Sequence, residues 1–390
     1  MNHRTQFESQ VQRWIKAGLI DAEVGSRIID FETGQERRAS LRWPVLLALA
    51  FGGILCAAGV TLFVAAHWAD LSPAIRFSLV LFMVAVFHIG GAALAERFPP
   101  LATTLHALGT ATLGAAIFLT AQIFNLRENW ATGILLWAVG ATAGYILLRD
   151  WIQAGMLSLL VPAWLVGQWS ITTQWHSGSL RPVAVGLVLT AVSYLSARIG
   201  DQESAARQTL VWIGGLALFP CLVFLITAGY GEGNIANDPP PLGLFTLTIG
   251  WIVALAGPLI FAWLLRGRAV WVNSLWAIWA FGVILCASYT HSFEGYTYHE
   301  YLGPKLGLYA MLVLGSIGLV AWGLNEKRKE RVNLGVAGFA ISVLFFYFDS
   351  FMGKLGRSAS LLLLGVLCLA GGYALEVTRR NLMARMENNQ

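Results

Sequence analysis

The chain has 390 residues, of which 57% are apolar and 12% are Asp, Glu, Lys or Arg, with a mean hydropathy of +0.64. A soluble domain carries about a quarter charged residues. Half that proportion over this length leaves too little polar surface for a water-soluble globule, so a soluble enzyme, a disordered chain and a nucleic-acid binder are excluded. The net charge of +5 does not restore the last of these, because the basic residues sit in short loops between long apolar runs.

Residues 1–42 are polar and read as a unit of their own. Phe7, Val11, Trp14 and Ile15 recur at helical spacing and Gly18 supplies a stop. Asp21 can cap a second helix with Val24, Ile28 and Phe31 on one face. Two short amphipathic helices cannot bury a stable core alone. The expectation is a small cytosolic helical hairpin that docks on the membrane helices, the lipid surface or a partner.

Residues 43–390 read as a transmembrane domain. A bilayer-spanning helix needs about 20 mostly apolar residues. Twelve windows fit: Pro44–Ala66, Ala74–Ala95, Leu101–Phe124, Trp130–Leu148, Trp151–Trp169, Pro182–Ile199, Gln208–Ala228, Leu242–Leu265, Ala269–Tyr289, Leu302–Leu324, Val332–Phe348 and Ala359–Val377. Backbone groups in hydrocarbon must pair within the segment, so these runs are helices. The predicted fold is an all-α polytopic membrane helix bundle of about 12 transmembrane helices. The sixth and eleventh windows are the shortest, and Arg149 and Asp150 alone separate the fourth from the fifth as a tight hairpin. With the N-terminus in the cytoplasm, 20 of the 26 Lys and Arg residues fall inside, alternating loop by loop. That split predicts a multi-pass membrane protein with both termini cytoplasmic.

No Asp, Glu, Lys or Arg lies near the middle of any window, which argues against an ion-coupled carboxylate relay and against a voltage sensor. His88 and His106 are the ionisable exceptions, nine residues either side of Arg97 at a hairpin turn. At 1.5 Å rise per residue both lie about 13 Å from the turn, at one depth. They are candidates for proton handling or substrate contact, the plainer reading being two neutral imidazoles bonded to neighbouring helices. Cys56, Cys221, Cys286 and Cys368 lie in apolar stretches without a C-x-x-C pair, and no cofactor is expected. Ala50–Ala57 and Ala280–Ala287 match at seven of eight positions, but the similarity stops there and reads as coincidence in an apolar alphabet.

The loops assigned to the outer face carry the remaining candidates. His67 with Asp70, and His291 with Glu294 or His299 with Glu300, could each supply a general base and an orienting carboxylate. Two His and a Glu are acceptable zinc ligands, but the H-E-x-x-H helix pattern is missing and no metal is expected. Gln122, Asn125 and Trp130 are candidate substrate contacts after the third window, although an interfacial aromatic belt accounts for Trp130 equally well.

With these residues in view, the chain resembles the bacterial predicted membrane proteins of unknown-function family 2157. The resemblance rests on Trp14-Ile-Lys-Ala-Gly-Leu-Ile20, His67-Trp-Ala-Asp-Leu-Ser-Pro73, Gly114-Ala-Ala-Ile117, Gln122-Ile-Phe-Asn125 and Leu135-Leu-Trp137. Near the end of the chain it rests on Tyr347-Phe-Asp349, Ser358 and Gly365. His67 stands where the family tends to carry Asn. The resemblance implies an inner-membrane protein working with a separately encoded, membrane-anchored partner, and it brings no catalytic residues. Three functions follow as expectations: a transporter- or flippase-like handler of a lipid or envelope precursor; a membrane-embedded transferase or hydrolase with an outer His/Glu site; or a structural subunit for an anchored partner. All three place the chain in contact with the lipid bilayer, and none involves nucleic acid.

Overall fold

The computed structural model describes residues 11–39, 51, 55, 71–125, 129–176, 178–198, 204–230, 242–292 and 298–350, with isolated positions between 362 and 380. Its contacts divide the chain into two units, Met1–Arg76 and Phe77–Gln390. In the first unit, residues 11–16 are helical and Gly18 turns the chain with φ +69°, a conformation that favours glycine. Helix α1, Ala22–Ala39, begins directly after Asp21. Gly25 lies where an added Cβ would come within 2.6 Å of the Ile15 side chain, and Val11 is buried. The predicted hairpin therefore packs on itself. Val24 and Phe31 stay exposed, so the face expected to carry the contacts is open within this unit.

The membrane helices follow as α2 (Pro73–Leu94), α3 (Pro99–Ile123), α4 (Trp130–Leu148), α5 (Trp151–Thr173), α6 (Leu180–Leu195), α7 (Ala205–Tyr230), α8 (Leu244–Arg266), α9 (Trp271–Ser292), α10 (Tyr298–Asn325) and α11 (Lys329–Ser350). No strand occurs among the described residues. Among the described residues, eight apolar segments are long enough to cross a bilayer. One of them, Leu244–Tyr289, is 46 residues long and is divided by the 3-10 turn Gly267–Val270 into α8 and α9. The first and twelfth windows lie outside the described residues, apart from scattered positions. Leu147, Leu216, Phe245 and Ile278 are each at least 70% exposed, a surface suited to lipid and not to water. The protein is a membrane helix bundle in contact with the bilayer.

The tight hairpin between α4 and α5 has a local cause. Arg149 takes a left-handed conformation and its N–H bonds to Tyr145 O at 2.8 Å, while the Asp150 carboxylate accepts from Ile152 N at 3.2 Å. One residue thus closes α4 and the next opens α5.

The sixth window departs from expectation. It forms α6, only 16 residues long and ending at Leu195 rather than Ile199. At 1.5 Å per residue that is about 24 Å, short of the roughly 30 Å hydrocarbon core. The helix is tolerated because it touches protein on nearly every side: Ala184, Val185, Val188, Leu189, Val192 and Leu195 are buried, with α7, α8 and α9 packed around the helix. At Gly214 of α7 an added Cβ would meet the α6 backbone at Leu195 N, 2.7 Å away. Close approach of this kind holds membrane helices together where lipid offers no hydrophobic drive.

Proline is accommodated in the same way. Pro162 inside α5 has no N–H, so Ser158 O loses its intrahelical donor. The Tyr194 hydroxyl of α6 donates to that carbonyl at 2.8 Å.

Candidate functional site

The hairpin α2–α3 brings the two membrane histidines together. His88 Nδ1 and His106 Nδ1 lie 3.2 Å apart, with ring centroids 5.5 Å apart. The expectation that both stand at one depth is met. Each ring occupies space left by a glycine of the other helix: a Cβ at Gly91 would meet His106 at 2.9 Å, and one at Gly109 would meet His88 at 2.7 Å. A bond between two Nδ1 atoms requires one donor and one acceptor, so at most one of the two rings is a cation while it persists.

Behind the pair lies a polar network that the sequence alone did not single out. Gln153 of α5 is fully buried and donates from Nε2 to Thr110 Oγ1 at 2.9 Å and to His106 O at 3.4 Å. The Thr110 hydroxyl donates to His106 O at 3.1 Å, and Trp137 Nε1 donates to Thr110 O at 2.8 Å. Gln153 Oε1 has no protein partner. The Trp137 ring also fills the space beside Gly114, which joins two of the motif segments that carry the family resemblance.

The outer candidates separate from this pair. Gln122 and Asn125 are exposed at the end of α3, Asn125 with φ 50°. Sixteen residues of helix put Gln122 about 24 Å from His106 along the axis. Trp130 opens α4 and is half exposed, its ring against Gly167 of α5. Its neighbour Asn129 caps α4 by accepting from Ala131 N at 3.0 Å and donates to Gln168 Oε1 at 3.2 Å. His67, Asp70 and Glu294 lie outside the described residues. His291, His299 and Glu300 fall on the ends of α9 and α10, and their side chains lie outside the described set. Among the described residues no cluster of three His, Cys, Asp or Glu is assembled.

Two further features were not read from the sequence. The first is a cavity of about 920 Å³ between α7, α9, α10 and α11, walled chiefly by Leu, Ile, Phe and Trp, with the Thr227, Ser316 and Ser342 hydroxyls and Tyr309 among them. Its lining on α11 runs from Leu334 to Phe348, about 20 Å along the helix axis. Small residues, Gly215, Gly315, Ala337 and Gly338, are among those that line it. No spacing rule assigns such residues to a cavity rather than to helix packing.

The second is an ionic cluster about one helical turn beyond the lining residues Leu319 and Leu334 of that cavity. Arg331, at the start of α11, is fully buried. It donates from Nε and Nη2 to Leu195 O at 3.3 and 3.0 Å, from Nη2 to Arg198 O at 3.1 Å, and from Nη1 to the Glu326 carboxylate. It therefore supplies the donors that the shortened C-terminal end of α6 lacks, with the charge that a helix C-terminus favours. Arg266, from the last turn of α8, also donates to Glu326, as does Trp322 Nε1 at 2.7 Å. Both guanidiniums lie over the Trp322 ring, Arg331 at 4.0 Å and Arg266 at 5.4 Å. Burial pushes the Glu326 carboxyl upward, but the Arg331 charge and the hydrogen bonds from Arg331, Arg266 and Trp322 outweigh it and hold the group below the usual carboxylate range. Arg198 pairs with Glu330 at 3.3 Å beside the cluster.

Residues 12–153 match the family model described as Predicted membrane protein (DUF2157). Over that stretch, which contains the histidine pair and ends at Gln153, the chain is similar to that family. The motif segments from Trp14 to Trp137 fall inside the match; Tyr347–Asp349, Ser358 and Gly365 fall outside it, as do the cavity and the arginine cluster. No curated protein and no solved structure matches the chain.

Proposed function

We propose that the protein is a transporter- or flippase-like membrane protein that takes the apolar part of a lipid or envelope precursor into the cleft between α7, α9, α10 and α11. The observation that carries this reading is the cleft itself: about 920 Å³, roughly parallel to the helices that wall it, and mostly apolar. That shape suits an acyl or isoprenoid chain, whereas a polar solute would lose its hydration against these walls. Inside a bilayer an acyl chain gains no hydrophobic free energy by entering, only packing contacts. Loose retention of that kind is what a molecule in passage requires. Ala337 and Phe345 line the cleft and are exposed, which supports an opening toward the surrounding lipid. The 20-to-6 division of Lys and Arg supports cytoplasmic termini in an inner membrane, with residues 1–42 as the cytosolic hairpin.

The test is native mass spectrometry of protein extracted in mild detergent, paired with a lipid-translocation assay in liposomes. The wild type is expected to retain a lipid-like molecule, and Ala337→Trp, which fills the cleft, to lower retention and translocation by about tenfold or more. A wild type that carries nothing and moves nothing, or an Ala337→Trp protein that behaves as wild type, sinks the reading.

A further inference from the structure

We propose that the cleft's ligand is an anionic phospholipid whose phosphate is bound by Arg266, its chains lying along the cleft. This deepens the reading above and rests on it. The starting point is a charge count: two buried guanidiniums, Arg266 and Arg331, share the single carboxylate of Glu326. Arg331 is spent, because its Nε, Nη1 and Nη2 all have acceptors in α6 or Glu326. Arg266 is not. Its side chain is 1% exposed, yet only Nη2 finds an acceptor, and Nε and Nη1 have none. A guanidinium carries five N–H donors in a planar fork that matches phosphate. Leaving part of that fork buried and unpaired is costly, and so is the surplus positive charge. An anion with acceptor oxygens satisfies both.

The position of this charge selects a lipid. Trp322, which carries both guanidiniums on its ring, packs on Trp276 with centroids 6.1 Å apart, and Trp276 lines the cleft. Leu319 and Leu334, also in the lining, stand three residues from Trp322 and Arg331 on their helices, about one turn. The cationic cluster thus lies about one helical turn beyond one end of an apolar slot about 20 Å long. That end also collects Arg198, Arg207, Arg268, Lys327, Arg328 and Lys329 at the helix termini, as expected of a membrane–water boundary. A molecule with an anionic phosphate head and long apolar chains fits both parts at once.

The experiment offers the purified protein equal amounts of phosphatidylglycerol and diacylglycerol, which share their chains but not the phosphate, with inorganic phosphate as a separate arm. Retention is read by native mass spectrometry. The wild type is expected to prefer phosphatidylglycerol by about tenfold, the size of a charge-assisted hydrogen-bonded contact. Arg266→Gln is expected to erase the preference while still retaining both lipids through the cleft, and Arg266→Lys to keep part of it. Ala337→Trp should lose both lipids, which separates failure of the cleft from failure of the head-group site. Equal retention of the two lipids by the wild type overturns the proposal whatever the variants do. An undiminished preference in Arg266→Gln overturns it too. Binding of inorganic phosphate as tight as that of the phospholipid, abolished by Arg266→Gln, assigns the site to a free anion and overturns the lipid.

Discussion

At the scale of single residues, the arginines at the end of α6 show how burial changes what a charge means. In the sequence, Arg266 and Arg331 are two more loop cations that orient the chain. In the fold they are 7% and 0% exposed and meet at Glu326. Sequence could not reveal this, because the site exists only where α6 stops short and three other helix ends converge. The His88–His106 pair was legible for the opposite reason: equal offsets from one hairpin turn fix equal depth, whatever the rest of the bundle does. The cluster carries a pH prediction. The Glu326 carboxyl is held below its ordinary range, chiefly through Arg331 against the opposing effect of burial. Its ionised form therefore contributes stability that is fully present above the pKa of an unfolded Glu and is lost as pH falls through the lower folded-state value. Thermal unfolding in detergent should show a midpoint that drops on acidification through this window. Glu326→Gln should be less stable at neutral pH and flatter in the acid range; an unchanged acid slope in that variant would remove Glu326 as its source.

At the scale of elements, most helix positions followed from hydropathy, and the hairpin at Arg149–Asp150 followed from two residues that cannot remain in hydrocarbon. What the pattern could not give was helix length where protein replaces lipid. The hydropathy of the sixth window does not distinguish a helix surrounded by α7, α8 and α9 from one facing acyl chains, and only the latter must match the bilayer thickness. The contact between Tyr194 and Ser158 O is the clearest case of one element completing another. Tyr194→Phe leaves the carbonyl above Pro162 unpaired in a region without water, and should cost about 1–3 kcal/mol. Pro162→Ala restores a backbone N–H that can reach Ser158 O. The double variant is therefore expected to recover much of what Tyr194→Phe alone loses, a coupling that a double-mutant cycle of unfolding free energies measures directly. Additive losses would mean that the hydroxyl does not act through this carbonyl.

At the scale of the whole molecule, the membrane helices carry a polar network and an apolar cleft with no residue in common. The histidine pair, Thr110, Trp137 and Gln153 belong to α2–α5, within the stretch similar to the family. The cleft takes its lining from α7, α9, α10 and α11 alone. That separation turns the histidine question into an experiment. If the pair is a fastener between α2 and α3, held by one shared proton, then His88→Ala and His106→Ala should each destabilise the protein by about 1 kcal/mol, with non-additive effects. Neither should alter lipid retention by the cleft, because residues that share no partner act independently. If instead the pair handles protons for transport, both variants should remain as stable as the wild type and abolish the pH dependence of lipid translocation. The two outcomes differ in which measurement moves, unfolding or translocation. Since α2 and α3 meet at Gly91 and Gly109 with the rings filling the space between, the fastener is the outcome expected.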